Sequence, residues 1–344
     1  MEPTIIADSS VIDNDDIMKK NDTDDVCISQ KISNKAILYV ISVISNPLQF
    51  ERRYELFNEF VERMNKEKGV KLLTVELQNG NRPYVTKADI KLRTNSTLWF
   101  KENLINIAVQ HLPECWEYMA WIDSDLYFQN KNWVSDTIDQ LQMYKIVQLF
   151  SHAIDLGPKK ETLQVHTSFF YQYVNGEVWK DPKYGTFFHP GFAYGIRRQA
   201  YDDIGGLMEF PILGSADHHM ALAFIGLVNK NLNSKLHPNY RLLCNIFQKR
   251  CERHIKRNVG YVSGTILHEW HGSKILRQYC TRWQILIKNQ FDPLEDIKKD
   301  SNNLWVLEDE KNQLRDDLIE YFRRRNEDIN VRTENCKYTK IEWL

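Results

Sequence analysis

The chain has 344 residues, of which 42% are hydrophobic and 26% charged, and its formal net charge is −1. Balanced charge excludes a bulk electrostatic pull toward nucleic acid or an anionic membrane, and no apolar run approaches the ~20 residues that span a bilayer. The length suits one large α/β domain or two smaller ones, with a sizeable core.

Residues 1–34 are polar and Asp-rich and read as a disordered acidic tail. A signal peptide needs a basic start and an apolar middle, and this tail has neither. Six cysteines (Cys27, Cys115, Cys244, Cys251, Cys280 and Cys336) lack paired short spacing. They read as reduced thiols rather than a disulfide frame or a zinc site, and a cytoplasmic location is the expectation.

Lys35–Ser45 is a near-continuous β-branched and apolar run, the pattern of a buried parallel strand. It stops at the turn signal Asn46-Pro47. Phe50, Tyr54, Phe57, Phe60, Val61 and Met64 have helical spacing up to Gly69, and Val70–Leu77 is a second strand. The three form a βαβ unit, whose crossover should be right-handed. Arg52 and Arg53, just past the first strand, are candidate contacts for a nucleotide base or phosphate, or ordinary solvated helix charges. Residues 78–97 are turn-rich. Leu98–Leu112 is an amphipathic helix, and Lys101 near its start is a candidate phosphate ligand or a snorkelling surface lysine.

Tyr118–Ile122 is a short apolar strand that ends in Asp123-Ser124-Asp125. Open α/β sheets bind ligands at the carboxyl ends of their strands, and hard divalent ions take carboxylate oxygens. The same Asp-x-Asp pattern recurs at Asp13 and Asp22 within the tail, so the pattern alone says nothing. Only the copy at Asp123 follows a strand and sits among aromatics (Trp121, Tyr127, Phe128). The alternative is a loop carboxylate pair that caps the next helix.

Trp133–Met143 reads as a helix and Lys145–Phe150 as a strand. Residues 151–189 read as a long irregular loop, a lid or an acceptor platform. In His189–Leu207, Gly191, Gly195 and the Gly205-Gly206 pair bracket a short strand and one helical turn, which suits close backbone approach to a ligand or plain turn chemistry. Asp217 opens a helix reaching about Leu227, as an N-cap, a general base or both. His218 and His219 diverge on that helix and are not expected to share one ion. Tyr261–Leu267 is a strand that delivers His268, His271 and Lys274. Imidazoles suit first-row divalent metals, and Lys274 is placed to face a diphosphate. The remainder reads as helical, over 275–289 and 303–325.

With both features in hand, residues 35–291 resemble nucleotide-sugar glycosyltransferases of the GT-A fold, nearest the inverting galactosyl and N-acetylgalactosaminyl types. The resemblance implies a Rossmann-like, mostly parallel mixed sheet flanked by helices, followed by a helical extension over 292–344. It implies a hexosyltransferase that uses Mn²⁺ or Mg²⁺, a nucleotide-sugar donor (UDP-sugar favoured), and a glycan or other hydroxyl acceptor. It places Asn46, Arg52 and Arg53 at the nucleotide base and Lys101 at the diphosphate. Asp125 falls on the metal and Asp123 on ribose or metal. Gly191 falls under the donor sugar, Asp217 on the base that deprotonates the acceptor, and His268 or His271 on the late metal ligand, His271 favoured. The chain departs from the family pattern at Ala216, where relatives often carry an acid before the base. Retention through a covalent Asp217 intermediate stays open beside inversion. So do a nucleotidyltransferase, although no glycine-rich basic loop follows the first strand, and a non-catalytic carbohydrate-binding or scaffold protein on the same fold.

Overall fold

The computed structural model describes residues 36–176, 188–279 and 281–328. The acidic tail and its two Asp-x-Asp copies lie outside the described residues.

β1 (Leu38–Ser45) is a buried run, as its β-branched composition predicts. α1 (Glu51–Met64) turns Tyr54, Leu56, Phe57, Phe60 and Met64 inward. β2 (Val70–Asn79) returns parallel to β1, in register from Leu38↔Val70 to Ser45↔Leu77. β3 (Ile90–Thr94) adds parallel to β2. α2 (Lys101–Val109) follows, then β4 (Tyr118–Ile122), which pairs parallel with the other side of β1. Alternate residues of β1 serve opposite layers. Tyr39 and Ile41 join a cluster with Leu104, Trp121 and Tyr194, while Leu38 and Val40 join one with Phe60, Ala120 and Trp133. Burial on both faces is why these strands read as unbroken apolar runs.

After β5 (Leu126–Phe128) come α3 (Trp133–Met143), β6 (Ile146–Gln148), β7 (His152–Leu156), β8 (Thr162–Ser168) and α4 (Phe169–Val174). β9 (Phe188–His189), β10 (Ala193–Arg197), α5 (Arg198–Ile204), α6 (Ala216–Phe224) and α7 (Pro238–His254) follow. β11 (Val259–Tyr261), β12 (Thr265–His268), α8 (Trp283–Lys288), β13 (Ile297–Lys299), β14 (Trp305–Leu307) and α9 (Asn312–Arg324) complete the order. The large sheet runs β11-β6-β10-β4-β1-β2-β3. All its neighbours pair parallel except β10, which is antiparallel to both β4 and β6. A second sheet runs β5-β12-β7-β8-β9. The fold is therefore the mixed, mostly parallel α/β layer with flanking helices that was expected.

Several expectations are corrected. The stretch read as an irregular loop from 151 carries β7, β8 and α4. The single strand expected at Tyr261–Leu267 is two strands in different sheets. The break comes at Gly264, whose carbonyl accepts from Ser151 N and His152 N at 2.9 and 3.1 Å. The helix expected over 275–289 is a 3-10 turn, Ile275–Arg277, followed by the short α8. The extension from 292 is not wholly helical, because β13 and β14 pair before α9. Cys244 and Cys251 are free and buried, but Cys115 is disulfide-bonded, against the expectation of six reduced thiols. No helix among the described residues is long and apolar enough to cross a membrane.

Candidate active site

β4 belongs to the large sheet and β5 to the small one, so Asp123-Ser124-Asp125 is the turn that joins them. The turn is anchored at its start, where Asp123 N donates to Phe192 O at 2.9 Å. β5 pairs antiparallel with β12 in the register His268↔Leu126, and β12 pairs parallel with β7 in the register His268↔Asp155. This pairing sets His268 beside Asp125, although 143 positions separate them in number.

His271 Nε2 lies 2.8 Å from Asp125 Oδ2, and His268 Nε2 lies 3.6 Å from the same oxygen. One ligand atom from each of the three residues falls within 4.8 Å of the others. Ligand atoms ~2.1 Å from a six-coordinate ion sit about 3 Å apart when adjacent, so the spacing fits a small divalent cation. The other oxygen, Asp125 Oδ1, is buried and has no hydrogen-bond partner among the described residues. A buried carboxylate oxygen without a partner is costly, and a cation would satisfy it.

The Nδ1 atoms face carboxylates. His268 Nδ1 is 2.8 Å from Asp155 Oδ1, and His271 Nδ1 is 3.2 Å from Glu327 Oε2. Such outer carboxylates fix a ligand imidazole's tautomer and orientation. Asp155 also pairs with His166 and Lys274. Burial would raise its pKa, but the hydrogen bonds from His166 and His268 and the charges of His268 and Lys274 hold it far below the usual carboxylate range. Asp125 is likewise depressed, since His268 and His271 outweigh the effect of burial. For His271, burial and then the Arg277 charge push the pKa down. His268 is pushed up to about 9, its burial outweighed by Asp125 and Asp155.

Asp125, His166, His268, His271 and Glu327 line a cleft of about 420 Å³ together with Asn46, Arg53, Lys101, Asp123, Asp217 and Lys274, while Asp155 lies behind its wall. Lys101 forms an ion pair with Asp123 at the mouth of β4. Burial works against its charge, but Asp123, Glu102 and Asp217 raise its pKa, so it is cationic. Asp217 stands in the first turn of α6, while the N-cap position itself is Ser215. Asp217 Oδ1 accepts from His218 N at 2.8 Å. A Cβ on Gly191 would overlap Asp217 Oδ2, so the glycine makes room for that carboxylate. Glu102, also on the cleft wall, is pushed up to about 7 by burial, partly offset by Lys101.

Other expected residues have protein partners. The Asn46 side chain bridges the turn after β1, donating to Phe50 O at 2.8 Å and accepting from Phe50 N at 3.1 Å. Arg52 points to Glu55 at 3.0 Å and to Trp270 O at 3.2 Å, and is not part of the cleft wall. Arg53 lines the cleft and pairs with Glu327 at 2.9 Å. His219 packs against Tyr240 and Trp283, away from the three-residue cluster. The sequence reading missed Asp155, His166, Arg277 and Glu327. Asp155 and His166 fell in the supposed loop. Glu327 gave no local signal, since its contact with His271 spans 56 residues.

No protein-family model matches the chain, and the search of curated proteins found no match. Many solved structures are similar to it, and three serve as examples. One is a Drosophila beta-1,4-galactosyltransferase 7 solved with manganese, UDP-Gal and xylobiose, at 15% identity and a TM-score of 0.29, over 54% of this chain and 60% of that one. A nucleotide-diphospho-sugar transferase from Desulfovibrio desulfuricans matches at 8% identity and a TM-score of 0.31, over 68% and 82% of the two chains. A 4-diphosphocytidyl-2C-methyl-D-erythritol synthase from Anaerococcus prevotii matches at 12% and 0.31, over 67% and 89%. The match thus spans about 60% of the galactosyltransferase chain.

Proposed function

We propose that this protein is a metal-dependent glycosyltransferase that moves a sugar from a nucleotide-diphosphate sugar, UDP-linked by preference, to a hydroxyl acceptor. The observation that carries the reading is the convergence of Asp125, His268 and His271 on one point of the cleft, with Asp125 Oδ1 buried and unpartnered there. A Mn²⁺ or Mg²⁺ ion held by these three residues would neutralise the diphosphate and make it a better leaving group.

The chain's own groups do the rest. Lys101, held cationic by its carboxylate neighbours, and Lys274 supply positive charge along the diphosphate path. Asp123 orients Lys101 through their ion pair. Asp217 accepts the proton of the acceptor hydroxyl, whose oxygen attacks the anomeric carbon. The bond from that carbon to the diphosphate oxygen breaks, and its electron pair leaves with the nucleoside diphosphate. Attack opposite the leaving group in one displacement inverts the anomeric configuration. Gly191 leaves Asp217 the room to stand on the sugar side of the cleft.

The test is a screen of the purified full chain against UDP-, GDP- and CMP-sugars, with Mn²⁺ or with chelator, beside Asp125→Ala. Metal-dependent turnover of one donor, lost in the variant, is the expected result. Sugar binding without turnover would favour a non-catalytic carbohydrate-binding protein instead. Proton NMR of the first product reports inversion or retention.

A further inference from the structure

We infer that Glu327 is a positioning residue for His271, and that the segment Arg325–Asp328 is thereby part of the metal site. The inference rests on the metal reading above and goes beyond it to a residue late in the chain, after α9.

The two imidazoles of the cluster are backed alike. His268 has the buried Asp155 behind its Nδ1, and His271 has the buried Glu327 behind its own. Glu327 is anionic. Two guanidinium groups hold its carboxylate in the ionised form. Arg325 Nε donates to Oε1 at 2.6 Å, and Arg53 Nη1 donates to Oε2 at 2.9 Å. An anionic carboxylate 3.2 Å from Nδ1 requires a proton on that nitrogen, which leaves the Nε2 lone pair to face Asp125 Oδ2 at 2.8 Å. Two electron-rich atoms at that distance call for a cation. Arg277 Nη2 also lies 2.9 Å from Nε2, but it has a second acceptor in His271 O at 3.4 Å. Without Glu327, the favoured tautomer carries its proton on Nε2 and donates it to Asp125, and the ring's lone pair then sits on Nδ1, turned away from Asp125.

The segment is seated at both ends. Asp328 accepts from Glu51 N and Arg52 N, each at 3.0 Å, at the exposed amides that open α1. Gly272, at φ +88°, lies flat under the segment. A Cβ there would come within 3.0 Å of Glu327 Cα and 3.1 Å of Asn326 O. Arg325 stacks over Trp99, its guanidinium carbon 5.2 Å from the ring centroid.

The experiment titrates Mn²⁺ alone into the full chain and reads the free ion by electron paramagnetic resonance, for the wild type, Glu327→Ala and Glu327→Gln. Histidine ¹⁵N spectra of the metal-free proteins report the His271 tautomer. Glu327→Ala should weaken Mn²⁺ binding about 10–100-fold and move the His271 proton from Nδ1 to Nε2. Glu327→Gln keeps an acceptor oxygen for Nδ1 and should recover most of the loss. If Glu327→Ala does not fold, Asp328→Ala unseats the segment without touching His271, Arg53 or Arg325, and it should weaken binding several-fold. A folded Glu327→Ala protein with wild-type affinity and an unchanged tautomer would overturn the inference and leave the metal reading standing. A wild type that binds no Mn²⁺ would overturn both.

Discussion

Gly191→Ala isolates the position of Asp217 from its chemistry. The added Cβ would overlap Asp217 Oδ2 and would lie 3.3 Å from Asp217 Cγ and 3.2 Å from His189 Cε1. The backbone has little freedom to withdraw, because Gln148 Nε2 donates to His189 O at 3.0 Å and to Gly191 O at 3.3 Å. Gly191 is not among the positive-φ glycines, so alanine adds no backbone strain. Asp217 is only half-buried, and its side chain is the part able to yield. To restore ordinary contact, Oδ2 must retreat by about an ångström or more. A displacement of that size from a near-attack position costs about 10²-fold in rate, or about 2.7 kcal/mol of activation free energy. Stability should change by no more than about 1 kcal/mol, as for a mild steric change at one site. The assay measures kcat and KM for the donor that the screen identifies, with Mn²⁺ affinity and a thermal melt on the same samples. The expected result is kcat down about 10²-fold with metal affinity and Tm near wild type. A folded Gly191→Ala enzyme at wild-type kcat would refute the assignment of Asp217 as the base.

Two further outcomes test the walls of the cleft and the frame behind it. Lys101→Met keeps the aliphatic stem but leaves Asp123 without its ion-pair partner. It should raise the donor KM about tenfold, the value of one charge-assisted contact, and initial rates across donor concentrations check this. Glu76 is buried within β2, and its carboxylate accepts from Val85 N, Thr86 N, Thr86 Oγ1 and Gln78 Nε2 at 2.6 to 2.8 Å. Glu76→Gln turns one acceptor into a donor that faces donors, and should cost about 1–3 kcal/mol at neutral pH, read by urea unfolding. Burial raises the Glu76 pKa, but the hydrogen bonds from Thr86, Val85 and Gln78 outweigh it and the pKa is lowered. The wild-type advantage is therefore present above the unfolded value near 4.5 and is lost as pH falls through the lower folded value. A gap between the two proteins that stays constant into acid would count against this account of Glu76.

Legibility in the sequence followed burial. β1, β2 and β4 have both faces in apolar clusters, so their composition announced them, and α3 was read at its observed bounds because its buried residues recur at helical spacing. β7 and β8 were hidden for the opposite reason. Their buried positions include Asp155, His166 and Ser168, polar side chains that serve the cleft or cap α4. A strand that turns polar groups inward loses the alternation by which strands are recognised, and such violations concentrate where a protein binds or reacts. The same logic divides the site. Asp123, Asp125, His268 and His271 stood out because each pair ends a strand. Glu327 follows a charged surface helix and looked like more of the same. Its partner His271 is 56 residues away, and only the seating of Asp328 on α1 and of the chain over Gly272 brings the two together. A carboxylate that supports a ligand from a distant segment is specified by tertiary packing alone. The supporting ring of the proposed metal site is accordingly the part of this protein that its sequence conceals, and the part where a substitution far from the Asp-x-Asp turn should alter metal affinity.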